Sequence, residues 1–151
     1  MGKRKLTTIS TKTKTPDSMD SVRNWVGKHV ISKSGDVIGK VQDFKFLKNT
    51  ITGIVVMKKL SRIYLGIEFV SAVSQDSVML SIDPVTMLIG KKVFDVDGKD
   101  MGKLVQLVRK GNNNSFEAII VKRKFYSKGI KIPKADVEIS KKNLILKKAY
   151  E

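Results

Sequence analysis

Few residues in this chain of 151 are of types that do chemistry, and their spacing rejects most of what they could do. His29 is the single histidine and there is no cysteine. A zinc centre or a histidine-based acid–base pair needs more donors than that. The segment Asp95-Val96-Asp97-Gly98-Lys99-Asp100 has the carboxylate density of a calcium loop. An EF-hand loop, however, puts its glycine sixth and a bidentate glutamate twelfth, where this chain has Asp100 and Gln106. Gly35-Asp36-Val37-Ile38-Gly39-Lys40 ends in Gly-Lys like a phosphate-binding loop but lacks its spacing and the Ser or Thr that follows. The expectation is no catalytic residue, no metal site, no cofactor and no enzyme.

What remains is cationic. Lys58, Lys59 and Arg62 gather at one predicted hairpin, and Lys122, Arg123, Lys124 and Lys128 at a second, where Phe125 and Tyr126 interrupt the charges. Aromatics among Lys and Arg can stack on bases or anchor a protein interface. Equally, charged hairpin ends guard against edge-to-edge aggregation while the aromatics pack beneath the loop. The functional reading makes these residues a partner-binding surface.

The whole chain leans the same way, with 30 Lys+Arg against 14 Asp+Glu, a net charge of +16 and a pI near 10.1. Such a field draws nucleic acid, anionic lipid or acidic protein segments. A lysine-rich surface without cysteine is also a thermophile's habit. Residues 1–15 hold Lys3, Arg4, Lys5, Lys12 and Lys14 with no acid, which predicts a disordered basic tail able to meet lipid, RNA or protein. No apolar run approaches the roughly 18 residues a spanning helix needs, and no signal-peptide core is present. With no disulfide possible, the reading is a soluble, cytoplasmic protein without a transmembrane segment.

These residues sit on a repeated frame. Gly27-Lys28-His29-Val30 aligns with Gly90-Lys91-Lys92-Val93, Gly35 with Gly98, and Gly39-Lys40-Val41 with Gly102-Lys103-Leu104, all at one offset. Ile54-Val55-Val56 then aligns with Ile119-Ile120-Val121, and Val78-Met79-Leu80 with Leu144-Ile145-Leu146. The equivalence of His29 with Lys92 marks both as exposed strand positions, and the Asp95 segment as a hairpin turn. Gly39 and Gly102, inside strands, predict a bulge or sharp bend. Strands are expected at 28–33, 37–47, 51–59, 62–67 and 77–82 in the first copy, and near 116–124, 129–132 and 143–147 late in the second. A helical turn carrying Val22, Trp25 and Val26 precedes the first copy, with Trp25 packing on the core. The expected fold is all-β, two tandem small barrels of about five to six strands each. The expected division is 1–21 basic tail and lead-in, 22–83 first barrel and 84–151 second barrel, the short linker at Asp83-Pro84 implying barrels in contact.

The doubled pattern G-K-x-V, a Gly-containing turn, G-K-[VL] and an I-x-x-[IV]-V-type strand resembles the PRC-barrel family, over nearly all of residues 26–148. That resemblance implies PRC-type barrels with a non-enzymatic role in protein interaction. Chains made of little else resemble an archaeal group acting in FtsZ-based cell division beside the membrane adaptor SepF. The implied partners are SepF, the FtsZ ring, a paralogue or a second copy in a homodimer or higher oligomer, at a midcell site. A distant likeness to the C-terminal domain of the ribosome maturation factor RimM implies the alternative, an RNA-binding or ribosome-maturation accessory protein.

Overall fold

The computed structural model describes residues 6–12, 19–140 and 142–150. Lys3, Arg4, Lys5 and Lys14, on which the expectation of a disordered tail mainly rests, lie outside the described residues, as do Asp17 and Ser18. The chain divides into two compact units, Met1–Ile82 and Asp83–Glu151.

In the first unit a single helical turn, α1 (Val22–Trp25), leads into β1 (His29–Ile31), β2 (Val37–Leu47), β3 (Thr50–Lys58), β4 (Ser61–Gly66), β5 (Val70–Val73) and β6 (Ser77–Leu80). They form one six-stranded sheet in the order β4-β3-β2-β1-β6-β5, antiparallel throughout except for the parallel pair β1–β6. A 3-10 turn at Ile67–Phe69 joins the edge strands β4 and β5. The second unit repeats this order with β7 (Lys92–Phe94), β8 (Asp100–Val108), β9 (Ala118–Lys122), β10 (Ile130–Pro133), β11 (Val137–Ile139) and β12 (Leu144–Leu146). The structure is all-β, as expected, with two small barrel-like sheets in tandem.

The β-branched runs explain the strands, because alternate side chains must leave water together. Val30, Val41, Ile54, Val56, Leu65, Val78 and Leu80 form the buried side of the first sheet. Val93, Leu104, Ile119, Val121, Ile132, Leu144 and Leu146 do the same in the second. Ladder partners correspond between the units: Ile54 faces Leu65 and Ile119 faces Ile132, while Val30 faces Val78 and Val93 faces Leu144.

The repeated motif is explained by how the chain closes on itself. The Gly27 N–H donates to the Val41 carbonyl (2.8 Å) and the Val41 N–H returns to the Lys28 carbonyl (3.0 Å). Gly90, Leu104 and Lys91 make the same exchange at 2.8 and 3.0 Å. Between them the expected bulge is present: Val30 faces Gly39 and Ile31 faces Val37, leaving Ile38 as the extra residue, and Met101 plays that part in the second unit. At the bulge the neighbouring strand comes so close that a Cβ on Gly39 would stand 2.6 Å from the Met57 carbonyl oxygen. One on Gly102 would collide with the Lys122 carbonyl. Both glycines also hold positive φ, 149° and 103°, which side chains disfavour.

Two features escaped the sequence reading. Each unit has six strands, within the expected count, but the position of β5 or β11 was not read, because each is only three or four residues long and mostly half-buried or exposed, so its apolar alternation is weak. The helical turn is repeated as well: a 3-10 turn at Val85–Leu88 stands where α1 stands in the first unit. Trp25 and Leu88 are thus equivalents. Trp25 is half-buried, its ring 5.3 Å from that of Phe44, and Leu88 is fully in the core. Ser21 takes the N-cap position of α1 but makes no side-chain cap bond.

Candidate functional site

The residues that resembled a calcium loop serve the fold. Asp95 is only 3% exposed, and its Oδ1 accepts the N–H groups of Asp97 and Lys99, both at 2.9 Å. Its counterpart Ser32, equally buried, accepts the Asp36 N–H on Oγ at 3.1 Å. In each unit a buried side-chain oxygen ties down the β1–β2 or β7–β8 turn, whose glycine, Gly35 or Gly98, has positive φ. Among the described residues no group of three or more metal-binding side chains converges. His29 is exposed on β1.

The predicted cations fall at the β3–β4 turn and the β9–β10 loop. Lys58 faces Ser61 across a tight turn made by Lys59, whose φ is 55°, and Leu60; Arg62 faces Met57. All three cations are exposed. In the second unit the loop is longer and builds a turn on Lys124 and Ser127: the Ser127 N–H reaches the Lys124 carbonyl (3.0 Å), and the Lys124 N–H reaches Ser127 Oγ (3.1 Å). Phe125 and Tyr126 are the two corner residues, which sends their rings outward. They are 91% and 69% exposed, edge to face at 5.2 Å, and Lys124 Nζ lies 5.6 Å from the Tyr126 ring centre. The alternative in which these rings pack under the loop is excluded by that exposure.

Beside this loop lies an open groove of about 590 Å³, lined by Lys92, Lys103, Lys122, Arg123, Lys124 and Phe125 together with Asp100, Gly102 and Val105. Lys128 and Tyr126 are not in its wall. Sequence reasoning missed Lys92 and Lys103, because only the strand register brings them to the hairpin: Lys92 faces Lys103 and Lys103 faces Lys122. Three lysines therefore stand abreast on three neighbouring strands. The stem of Lys122 runs along Gly129, 3.5 Å from where a Cβ there would be. At the same three places the first unit has His29, Lys40 and Met57.

The first unit differs elsewhere. Its β2–β3 ladder runs on to the pair Leu47–Thr50, whereas β4 reaches only to the pair Gly53–Gly66, so the ribbon beyond Gly53 has no third strand. Phe46 and Leu47 on this arm are 58% and 68% exposed, Ile51 is exposed opposite Phe46, and Lys45 and Lys48 flank them. No helix among the described residues is long and apolar enough to cross a membrane.

No curated protein matches the chain. Residues 17–87 match the family model of the PRC-barrel domain, a fold that serves protein interaction and is in general non-catalytic. Residues 17–87 are therefore similar to a PRC-barrel domain, and the second unit repeats the strand order of the first.

Proposed function

We propose that the protein is a non-enzymatic adaptor that joins partners through two unlike surfaces, the apolar arm of the first unit and the cationic hairpin and groove of the second. The observation that carries this reading is the arm. A ribbon of two strands holds Phe46, Leu47 and Ile51 outside the buried core of its unit, and an apolar patch ringed by lysine suits a protein partner. Lys58, Lys59 and Arg62, with Lys122, Arg123, Lys124, Phe125, Tyr126 and Lys128, complete the proposed contact residues.

Within that role, the likeness of the doubled G-K motif to archaeal PRC-barrel proteins supports a place in FtsZ-based division, pairing with SepF, the FtsZ ring, a paralogue or a second copy at midcell. Analytical ultracentrifugation with SepF and with FtsZ at tens of micromolar tests it. A complex that is lost on Phe46→Ser/Leu47→Ser is the expected result, and no complex with either protein overturns the division assignment. The alternative, an accessory role in ribosome maturation through RNA, is supported by the cations around Phe125. A fluorescent fusion separates the two, a midcell band for division and a ribosome-like distribution for RNA.

A further inference from the structure

Like charges directly across a ladder destabilise a sheet, and natural sheets set opposite charges or neutral partners there. Lys92, Lys103 and Lys122 break that rule twice in succession. Adjacent strands are about 4.8 Å apart, so the three stems rise from a row roughly 10 Å long. No ion pair among the described residues involves any of them; Lys45–Asp43 and Lys148–Asp136 pair elsewhere. The one carboxylate in the groove, Asp100, accepts the Gly102 N–H at 2.8 Å. The first unit shows that the frame does not require the row, since His29 and Met57 fill two of the three places there.

We infer that this row and Phe125 form a groove for single-stranded nucleic acid, with successive phosphates on Lys92, Lys103 and Lys122 and a base against the Phe125 ring. The row supplies cations in a line, which suits a chain of phosphates better than a single one. Arg123 and Lys124 extend the cationic wall toward the loop, where the Phe125 ring stands 91% exposed at the rim. An aromatic face beside a cationic track is what unpaired bases use and what a duplex, with its bases stacked inside, does not. The inference rests on the adaptor reading only in taking the second unit as the charged surface.

The first unit supplies the substitutions for the test. Lys92→His/Lys122→Met gives the second row the residues that the first already tolerates, and at pH near 8 the introduced imidazole is essentially uncharged. Fluorescence anisotropy with labelled oligo-U and oligo-dT, over a series of salt concentrations, reads both terms. Removing two phosphate contacts lowers the magnitude of the slope of log affinity against log salt by roughly 1.4. Phe125→Ala weakens binding by about tenfold or more at unchanged slope, because stacking releases no counterions. The reverse change, His29→Lys/Met57→Lys, raises the slope. An unchanged slope in Lys92→His/Lys122→Met overturns the proposal. So does equal affinity for duplex, for oligo-glutamate of the same length or for anionic vesicles, with no effect of Phe125→Ala. Sedimentation of the same variants with SepF and FtsZ is a separate readout: complexes kept while oligonucleotide binding fails would leave the adaptor reading standing and this one overturned.

Discussion

Past the second strand of each sheet the two units part company. In the first, β2 and β3 stay paired to Leu47–Thr50 and carry Phe46, Leu47 and Ile51 out as a ribbon. In the second, the ladder stops at Val108–Ala118 and residues 109–117 fold back instead. Arg109 donates to the carbonyls of Ser115 (3.3 Å) and Asn113 (2.5 Å). Asn114 clamps the start of the unit, donating to the Asp83 carbonyl and accepting the Val85 N–H. Phe116 enters the core. Between β3 and β4 the contrast runs the other way, a tight turn in the first unit and the aromatic, cationic loop in the second. The shared ladder is constrained by its bulge glycines and buried side chains, and the hairpin ends are where one frame acquires two different surfaces.

Phenylalanine at the two versions of the β2–β3 and β8–β9 connection gives the largest test of that contrast. Phe116→Ala empties a core site and is expected to cost about 3–4 kcal/mol, while Phe46→Ala, on the arm, costs under about 0.5 kcal/mol. Urea denaturation followed by circular dichroism measures both. A cost above about 2 kcal/mol for Phe46→Ala would mean that the arm packs on something in the protein and is not free for a partner.

The turn beneath β1–β2 and β7–β8 sharpens the comparison at lower cost. Asp95 accepts two N–H groups from a buried position and Ser32 one. Asp95→Ala should cost about 2–3 kcal/mol and Ser32→Ala about 1 kcal/mol, bonds to a charged acceptor being the stronger. Equal midpoint shifts for the two would show that the carboxylate adds nothing beyond what the hydroxyl provides.

How much of this was legible depended on which signal each feature leaves in the chain. The duplication, the long strands and the bulge at Gly39 and Gly102 could be read, because glycine spacing and β-branched runs are local. The sixth strands could not: Val70–Val73 reads Val-Ser-Ala-Val, and its place is set by pairing with β6. Trp25 and Leu88 hid their equivalence because an aromatic and an aliphatic share no letter, only an offset. At the site, Lys122 to Lys128 were found as a run in sequence. Lys92 and Lys103 join Lys122 only through register, which no composition or spacing rule reports. The exposure of Phe125 and Tyr126 was undecided from sequence, and the Lys124–Ser127 turn decides it.

The smallest effect belongs to a contact that the second unit has alone. Tyr150 packs against its core and donates from Oη to Asp136 Oδ2 at 2.7 Å, while Lys148 Nζ lies 3.5 Å from the same oxygen. Burial first, then the bond to Asp136 and its charge, push the phenol up from 10.0 to about 12. The folded unit therefore holds this proton to higher pH than the unfolded chain does. Its contribution is fully present below about pH 10 and is lost as pH rises through about 12. One hydrogen bond near the surface is worth no more than about 1 kcal/mol. Strongly alkaline solution also acts on wild type and variant alike through the groups they share. The informative quantity is therefore the difference between wild type and Tyr150→Phe in denaturation midpoint across that window. Wild type should start more stable at pH near 9 and converge on the variant by pH near 12. Parallel curves would mean that the Tyr150–Asp136 contact adds no stability to the second unit.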